Sequence, residues 1–260
     1  MAKLLIILLL LNFTAAAQQK ISWPRHKKAV IVLTYDDALE SQLQTAIPQL
    51  DSVHLTGTFF LTGIINYKTI PRWRAVAKKG HELANHTIYH PCFTIPLKDN
   101  PTANDGYTVG SLLHEIEEMN SFLFAIDNKT ERTYAYPCTE TEVKGVKYVD
   151  SLRKSGMVKY ARLGGDDNAI VTDFKKLDYL QVPAWGLDGN NKGIELINYV
   201  KKVEKSAGMG IFMFHGIGGD YITTSAKAHK ELLNYLAKNK ATIWVTTFQQ
   251  AMDYISKANK

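Results

Sequence analysis

Val30-Ile31-Val32-Leu33-Thr34-Tyr35-Asp36-Asp37-Ala38 is an apolar run that stops at two carboxylates. Its first six residues are mostly β-branched or aromatic, the side chains that pack best on a pleated, buried surface, so the run reads as a strand. From position 39 to 53 apolar residues recur at three- and four-residue spacing, which predicts a helix directly after it. That strand-then-helix unit repeats along the chain. Further strands are expected over 58–61, 82–84, 133–136, 159–162, 180–182, 211–214 and 243–246. Further helices are expected over 71–79, 112–126, 143–154, 194–207, 226–239 and 248–256. Parallel strands joined by crossover helices predict an α/β fold, and about eight strands with about seven helices match a closed or nearly closed β/α barrel better than an open doubly wound sheet. No G-x-G-x-x-G follows the first strand, so the usual dinucleotide site is absent.

The 260-residue chain, 45% hydrophobic, has ample apolar content for one large core, and no linker, low-complexity run or internal repeat divides it. A single domain over 18–260 is expected. Residues 1–17 read differently: a basic start, an apolar run over 4–13 and then Ala15-Ala16-Ala17 form the pattern of a cleaved secretory signal. The competing reading, a membrane anchor, needs roughly 20 apolar residues and the run is shorter. A secreted or periplasmic protein without stable membrane insertion is therefore expected. Net charge is +6 with the lysines and arginines scattered, and no basic stripe or nucleic-acid module is present, so a nucleic-acid partner is not expected.

In such barrels chemistry gathers at the C-terminal ends of the strands, so each motif is judged by its place relative to a strand end. Asp36-Asp37 ends the first strand; the pair is either a solvated turn or cap, or two buried carboxylates that need a cation nearby. His86-Thr87-Ile88-Tyr89-His90 follows another short strand. If it opens a helix, its two imidazoles share a face and can converge on one metal; as an isolated pair they would be incidental. A carboxylate of this pair with His86 and His90 offers three N/O ligands with room for water, the composition of a catalytic zinc site, while Cys92 nearby leaves a closed structural site as a rival. Ile211-Phe212-Met213-Phe214-His215-Gly216 delivers His215 to a strand end, suited either to proton exchange near neutrality or to a hydrogen-bonded place in the core. Cys92 and Cys138 are the only cysteines, and an exported chain allows them to bridge; two buried thiols are the alternative.

Taken in order, T-Y-D-D-A (34–38), G-H-E-L-A-N-H-T-I-Y-H-P (80–91) and I-F-M-F-H-G (211–216) resemble the polysaccharide deacetylases, the carbohydrate esterase family 4 that shares the chitooligosaccharide deacetylase homology domain. The resemblance spans about 30–248 and implies a distorted (β/α) barrel of seven to eight strands. It implies Asp36 as general base, Asp37, His86 and His90 as ligands of a divalent ion, zinc being the expected one, and His215 as general acid. It also implies an oxyanion donor from the backbone of Cys138, in the stretch 134–139. The family's R-P-P-Y motif has Ala135 where its arginine belongs; Arg162, at the end of the next strand, is the candidate substitute. The D-x-x-D-W motif has no clean match, although Trp185 and Asp188 lie in a related stretch, Trp185 either as a sugar-facing wall or as core. An acetylated oligo- or polysaccharide is the implied substrate, N-acetyl amino sugars favoured over O-acetyl xylan. A catalytically silent carbohydrate binder and a small-molecule amidohydrolase are the alternative functions.

Overall fold

The computed structural model describes residues 21–93 and 107–260; the expected leader over 1–17 lies outside the described residues. The chain runs β1 (Ala29–Asp36), a π-helical turn (Gln42–Ala46) continuing into α1 (Ile47–Ser52), β2 (Thr58–Leu61), α2 (Ile70–Lys78), β3 (Glu82–Asn85), α3 (Val109–Asp127) and β4 (Thr133–Ala135). A small hairpin, β5 (Glu142–Val143) and β6 (Val146–Lys147), precedes α4 (Val149–Ser155) and β7 (Tyr160–Leu163). Then come β8 (Ile170–Val171), β9 (Val182–Pro183), β10 (Trp185–Gly186), α5 (Gly193–Ser206), β11 (Met209–Phe214), α6 (Ala226–Lys238), β12 (Ile243–Thr246) and α7 (Phe248–Ala258).

The main sheet has the order β10-β11-β1-β2-β3-β4-β7-β9, with β12 beside the first half of β1 and, among the described residues, only β8 antiparallel in it. β9 and β10 are separated by Ala184 alone, yet β9 pairs with β7 and β10 with β11. One bent segment thus joins both ends of the sheet and closes a distorted barrel, as expected.

Every residue of β1 is buried, because this strand is covered on both faces. The period-2 pleat sends Ile31, Leu33 and Tyr35 into the layer between barrel and helices, and Val30 and Val32 into the barrel interior with Phe60, Ala84, Ala135, Tyr160 and Ile211. α7 plugs the end where the strands begin: its Phe248, Ala251, Met252 and Ile255 belong to the interior cluster at helical spacing. Its first turn is tied down there, Phe248 N–H donating to Thr58 Oγ1 (2.8 Å) and Gln249 N–H to the buried Glu82 Oε2 (2.9 Å). Burial pushes the Glu82 carboxyl above its ordinary range, against the hydrogen bonds it accepts. The opposite end of the barrel is left for the site.

Two expected helices differ in detail. The 143–154 helix begins only at Val149, because Lys144 (φ 49°) and Gly145 (φ 82°) make a tight left-handed turn between β5 and β6. The 39–53 helix passes through the π turn at Gln42–Ala46, a local widening that recurs at functional sites.

Candidate active site

Strand parity aims the site. Asp36 continues the interior series of Val30 and Val32, His86 follows Ala84, Arg162 follows Tyr160, and His215 follows Ile211 and Met213, so four strand ends point polar groups at one place. Asp36, His86 and His215 meet in a cavity of about 590 Å³ that also takes in Asp37 and His90, with Tyr136, Met213, Tyr221 and Ile222 as its apolar and aromatic walls, and Arg162 reaches Asp36 from beneath it.

Asp37 reaches the cavity differently. It and Ala38 both adopt left-handed backbone (φ 79° and 57°), an uncommon choice for two successive non-glycine residues, and Asp37 N–H is anchored on the Phe60 carbonyl at 3.0 Å. The turn brings Asp37 Oδ1 within 3.4 Å of His86 Nε2 and 3.5 Å of His90 Nε2, and Oδ2 within 3.8 Å of His215 Nε2.

The segment from His86 to His90 is not helical. Asn85 Oδ1 accepts from Thr87 N–H (2.8 Å) and Thr87 Oγ1 from His90 N–H (2.9 Å), while Thr87 (φ 65°) and His90 (φ 51°) are left-handed. Side-chain-to-backbone bonds of this kind compete with helix formation, and here they win. The turn is also pressed against β2: Gly63 N–H donates to the Ile88 carbonyl at 2.9 Å, and a Cβ at Gly63 would sit 2.6 Å from that oxygen. Convergence of the two imidazoles comes from a compact turn, not from a helix face.

Each imidazole is oriented from behind. His86 Nδ1 donates to the Ala135 carbonyl at 2.8 Å, which leaves Nε2 as the lone-pair atom facing Asp37. His90 Nδ1 stands 3.7 Å from Cys92 Sγ. Cys92 and Cys138 are disulfide-bonded, Cα to Cα 5.7 Å, across 46 residues of sequence. The bridge joins the histidine turn to the Pro137–Thr139 turn beside the cavity, and it removes the thiolates that a closed structural site would need.

The electrostatics are those of a shared charge cluster. Burial opposes ionisation of Asp37, but the close approach of His86 and the charges of His86, His90 and His215 outweigh it and hold its carboxyl well below the usual range. Burial likewise opposes protonation of His86, yet the close approach of Asp37 and the charges of Asp36 and Asp37 raise it. His90 is pushed down to about 4, by burial first and then by His86 beside it. Asp36 has its own partner: Arg162, only 1% exposed, donates from Nη2 to Asp36 Oδ2 at 2.5 Å, with its guanidinium 4.9 Å above the Phe60 ring.

Asp37 Oδ1 is buried without a hydrogen-bond partner among the described residues, and together with the His86 and His90 nitrogens it forms a group of three ligand atoms all within 4.8 Å of one another. A carboxylate and two imidazoles so placed suit a divalent ion with open coordination positions. His215 Nδ1 is also buried without a partner among the described residues. Asp188 lies elsewhere, accepting from Asn190 N–H at 2.9 Å, so the structure does not pair it with His215. Trp185, 9% exposed, is packed against Tyr199 and Phe212 with ring centroids 5.0 and 5.7 Å away, a place in the core.

Two polar residues were not legible beforehand. Gln42, in the π turn, donates from Nε2 to the carbonyls of Asp36 (2.5 Å) and His215 (3.1 Å), tying two strand ends together. Tyr221 donates its hydroxyl to Asp37 Oδ2 at 2.8 Å. The glycine-rich 216–219 loop following His215 was the one available signal for it.

The model of the polysaccharide deacetylase family matches residues 24–156, the half of the chain that carries Asp36, Asp37, His86 and His90. The peptidoglycan-N-acetylmuramic acid deacetylase PdaA of Bacillus subtilis (strain 168) is 25% identical over 112 residues, 43% of this chain but only 38% of that protein's length. Among solved structures, a polysaccharide deacetylase from Mycobacterium smegmatis, itself described only as putative, has a TM-score of 0.64 at 16% identity, covering 92% of this chain and 93% of its own. The Xyl-CE4 domain of a multidomain xylanase from the hindgut metagenome of Trinervitermes trinervoides has a TM-score of 0.54 at 18% identity, covering 86% and 90%. At those identities the structural likeness carries the barrel, and the sequence match carries the kinship: the chain belongs to the polysaccharide deacetylase family.

Proposed function

We propose that the chain is an exported, metal-dependent hydrolase, one catalytic domain over 18–260, that removes acetyl groups from a glycan, with N-acetyl amino sugars preferred to O-acetyl xylan. The observation that carries this reading is the gathering of Asp36, Asp37, His86, His90 and His215 from three strand ends into one cavity, with Arg162 of a fourth strand paired to Asp36. Asp37, His86 and His90 would hold the ion. When bound there, a divalent ion such as zinc supplies Lewis-acid charge, lowering the pKa of water toward neutrality and polarising an acyl carbonyl.

The protein's own groups supply the rest. Asp36, held by Arg162, is placed as the base that takes a proton from the attacking water. Water oxygen adds to the acetyl carbon and the bond to the sugar nitrogen breaks. His215 delivers the proton that lets nitrogen leave as the amine, giving acetate and the deacetylated sugar. The backbone at Cys138, fixed beside the cavity by the disulfide, is the proposed donor to the developing oxyanion. A catalytically silent binder was suggested by the arginine missing at Ala135; the Arg162–Asp36 pair supports the catalytic reading instead.

The preference for amide over ester rests on the peptidoglycan deacetylase among the relatives. Acetate release by the zinc-loaded protein from chitooligosaccharides, peptidoglycan fragments and acetylated xylan tests both activity and substrate class. Release from the first two ahead of xylan is expected; no release from any of them would overturn the reading.

A further inference from the structure

The two oxygens of Asp37 have different neighbours. Oδ1 is the atom faced by His86 Nε2 and His90 Nε2, at 3.4 and 3.5 Å, whereas Oδ2 accepts the Tyr221 hydroxyl at 2.8 Å. We infer that Tyr221 is a positioning residue for Asp37: by occupying Oδ2 it fixes the rotation of the carboxylate and leaves Oδ1 alone to ligate a metal. The inference rests on the metal-holding role given to Asp37 above.

The loop carrying Tyr221 is built to hold it there. Gly216 N–H donates to the Tyr221 carbonyl (3.2 Å), Thr224 N–H to the Gly216 carbonyl (2.9 Å), and Gly218 N–H to the Thr224 carbonyl (2.8 Å). A Cβ at Gly216 would lie 2.1 Å from the Gly219 carbonyl oxygen, so only glycine allows this fold-back. Ser41, at the start of the first crossover, pins the loop from below: its Oγ accepts from Ile217 N–H (3.1 Å) and its N–H donates to Asp220 Oδ2 (2.7 Å). Asp220 (φ 61°) and Ile222 (φ 45°) flank Tyr221 in left-handed backbone, and for a β-branched isoleucine that is a true outlier. Strain of this sort persists only where the surroundings enforce it, and it clusters at functional sites.

Tyr221 is itself 53% exposed, so its hydroxyl can be removed without opening the core. Partners that orient a metal ligand are worth about 10- to 100-fold in metal affinity when lost. Tyr221→Phe should therefore weaken zinc binding roughly 10-fold or more, read by competition against a chromophoric chelator. It should also alter the visible spectrum of the cobalt(II)-loaded protein, with the melting temperature unchanged. Wild-type zinc affinity together with an unchanged cobalt spectrum overturns the inference, even if turnover falls. Asp37→Ala, measured alongside, separates the two levels. If it too binds zinc normally, the metal reading has failed; if it loses zinc while Tyr221→Phe does not, only the role given to Tyr221 has failed.

Discussion

Arg162→Ala is the sharpest perturbation this site offers, because the pair it breaks is buried at both ends. The Arg162 side chain is 1% exposed and that of Asp36 3%, and the bond between them is 2.5 Å long. With the guanidinium gone, the nearest remaining ion-pairing group of Asp36 among the described residues is His86 Nε2 at 3.8 Å, already shared with Asp37. Removing one partner of a buried ion pair costs about 3–5 kcal/mol, since the other charge stays desolvated. For a domain of this size, each kcal/mol moves the melting temperature by about 2–4 °C, so a fall of about 6–20 °C is expected. Turnover should fall as well, by up to the roughly 10²- to 10⁴-fold that a positioned general base contributes. Replacing both ends, Arg162→Met with Asp36→Asn, removes the stranded charge; it should recover most of the melting temperature and none of the activity. Scanning calorimetry and acetate release report the two effects separately. Arg162→Ala that melts with the wild type and keeps its turnover would refute the reasoning, because a solvated arginine behaves that way and a buried counter-ion does not.

Three further outcomes are expected. Asp36→Asn should keep its zinc and lose about 10²- to 10⁴-fold in rate, whereas Asp37→Ala should lose zinc itself; metal analysis showing the reverse would mean that the two carboxylates have been interchanged. Reducing the Cys92–Cys138 bridge removes a constraint worth about 4 kcal/mol in the chain-entropy model and frees the histidine turn from the Pro137–Thr139 turn, so melting temperature and turnover should drop together; unchanged turnover in the reduced, folded protein would contradict a positioning role. His229 is buried with Nδ1 donating to Gln49 Oε1 and Nε2 accepting from the Tyr35 hydroxyl, both at 2.7 Å, and burial depresses it to about 3. The unfolded chain, with its histidine near 6.5, then binds a proton that the native state refuses, so stability falls as pH drops from about 6.5 toward 3. Urea unfolding at pH 4.5 should show a loss of about 2–3 kcal/mol from this source relative to pH 7, absent in His229→Gln; an equal loss in the variant would place the acid sensitivity elsewhere.

The strands most easily read from sequence were those the fold buries on both faces. β1, β2 and β11 are dominated by apolar residues because almost none of their surface meets water. The closing segment was not readable in the same way. An expected strand over 180–182 proves to be two two-residue pieces around Ala184, each bonded to a different neighbour, and so short a pairing leaves no periodic pattern. The histidine pair was found by its spacing, but its conformation was not; Asn85 and Thr87, turn-forming residues on either side of His86, carried that information. Gln42 and Tyr221 reach their partners across 173 and 184 residues, where local pattern is silent.

Arginine at 162 in place of 135 follows from sheet geometry. Ala135 and Arg162 are register partners on adjacent strands, β4 and β7, and adjacent strands lie about 4.8 Å apart. A side chain as long as arginine's spans that gap, so a guanidinium rooted on β7 reaches the carboxylate that the family resemblance would serve from β4. Ala135, lacking a bulky side chain, leaves the path open, and its carbonyl still orients His86. What the chemistry needs near Asp36 is one positive charge at one point, held rigidly, and either strand can deliver it. Balance then follows for the pair of carboxylates. Asp36 is neutralised by Arg162 within the protein, while Asp37 faces imidazoles that cannot all stay protonated near neutrality, His90 being held down at about 4. The carboxylate without a permanent counter-ion is therefore the one turned toward the two histidines, and a divalent cation held there would complete the charge balance.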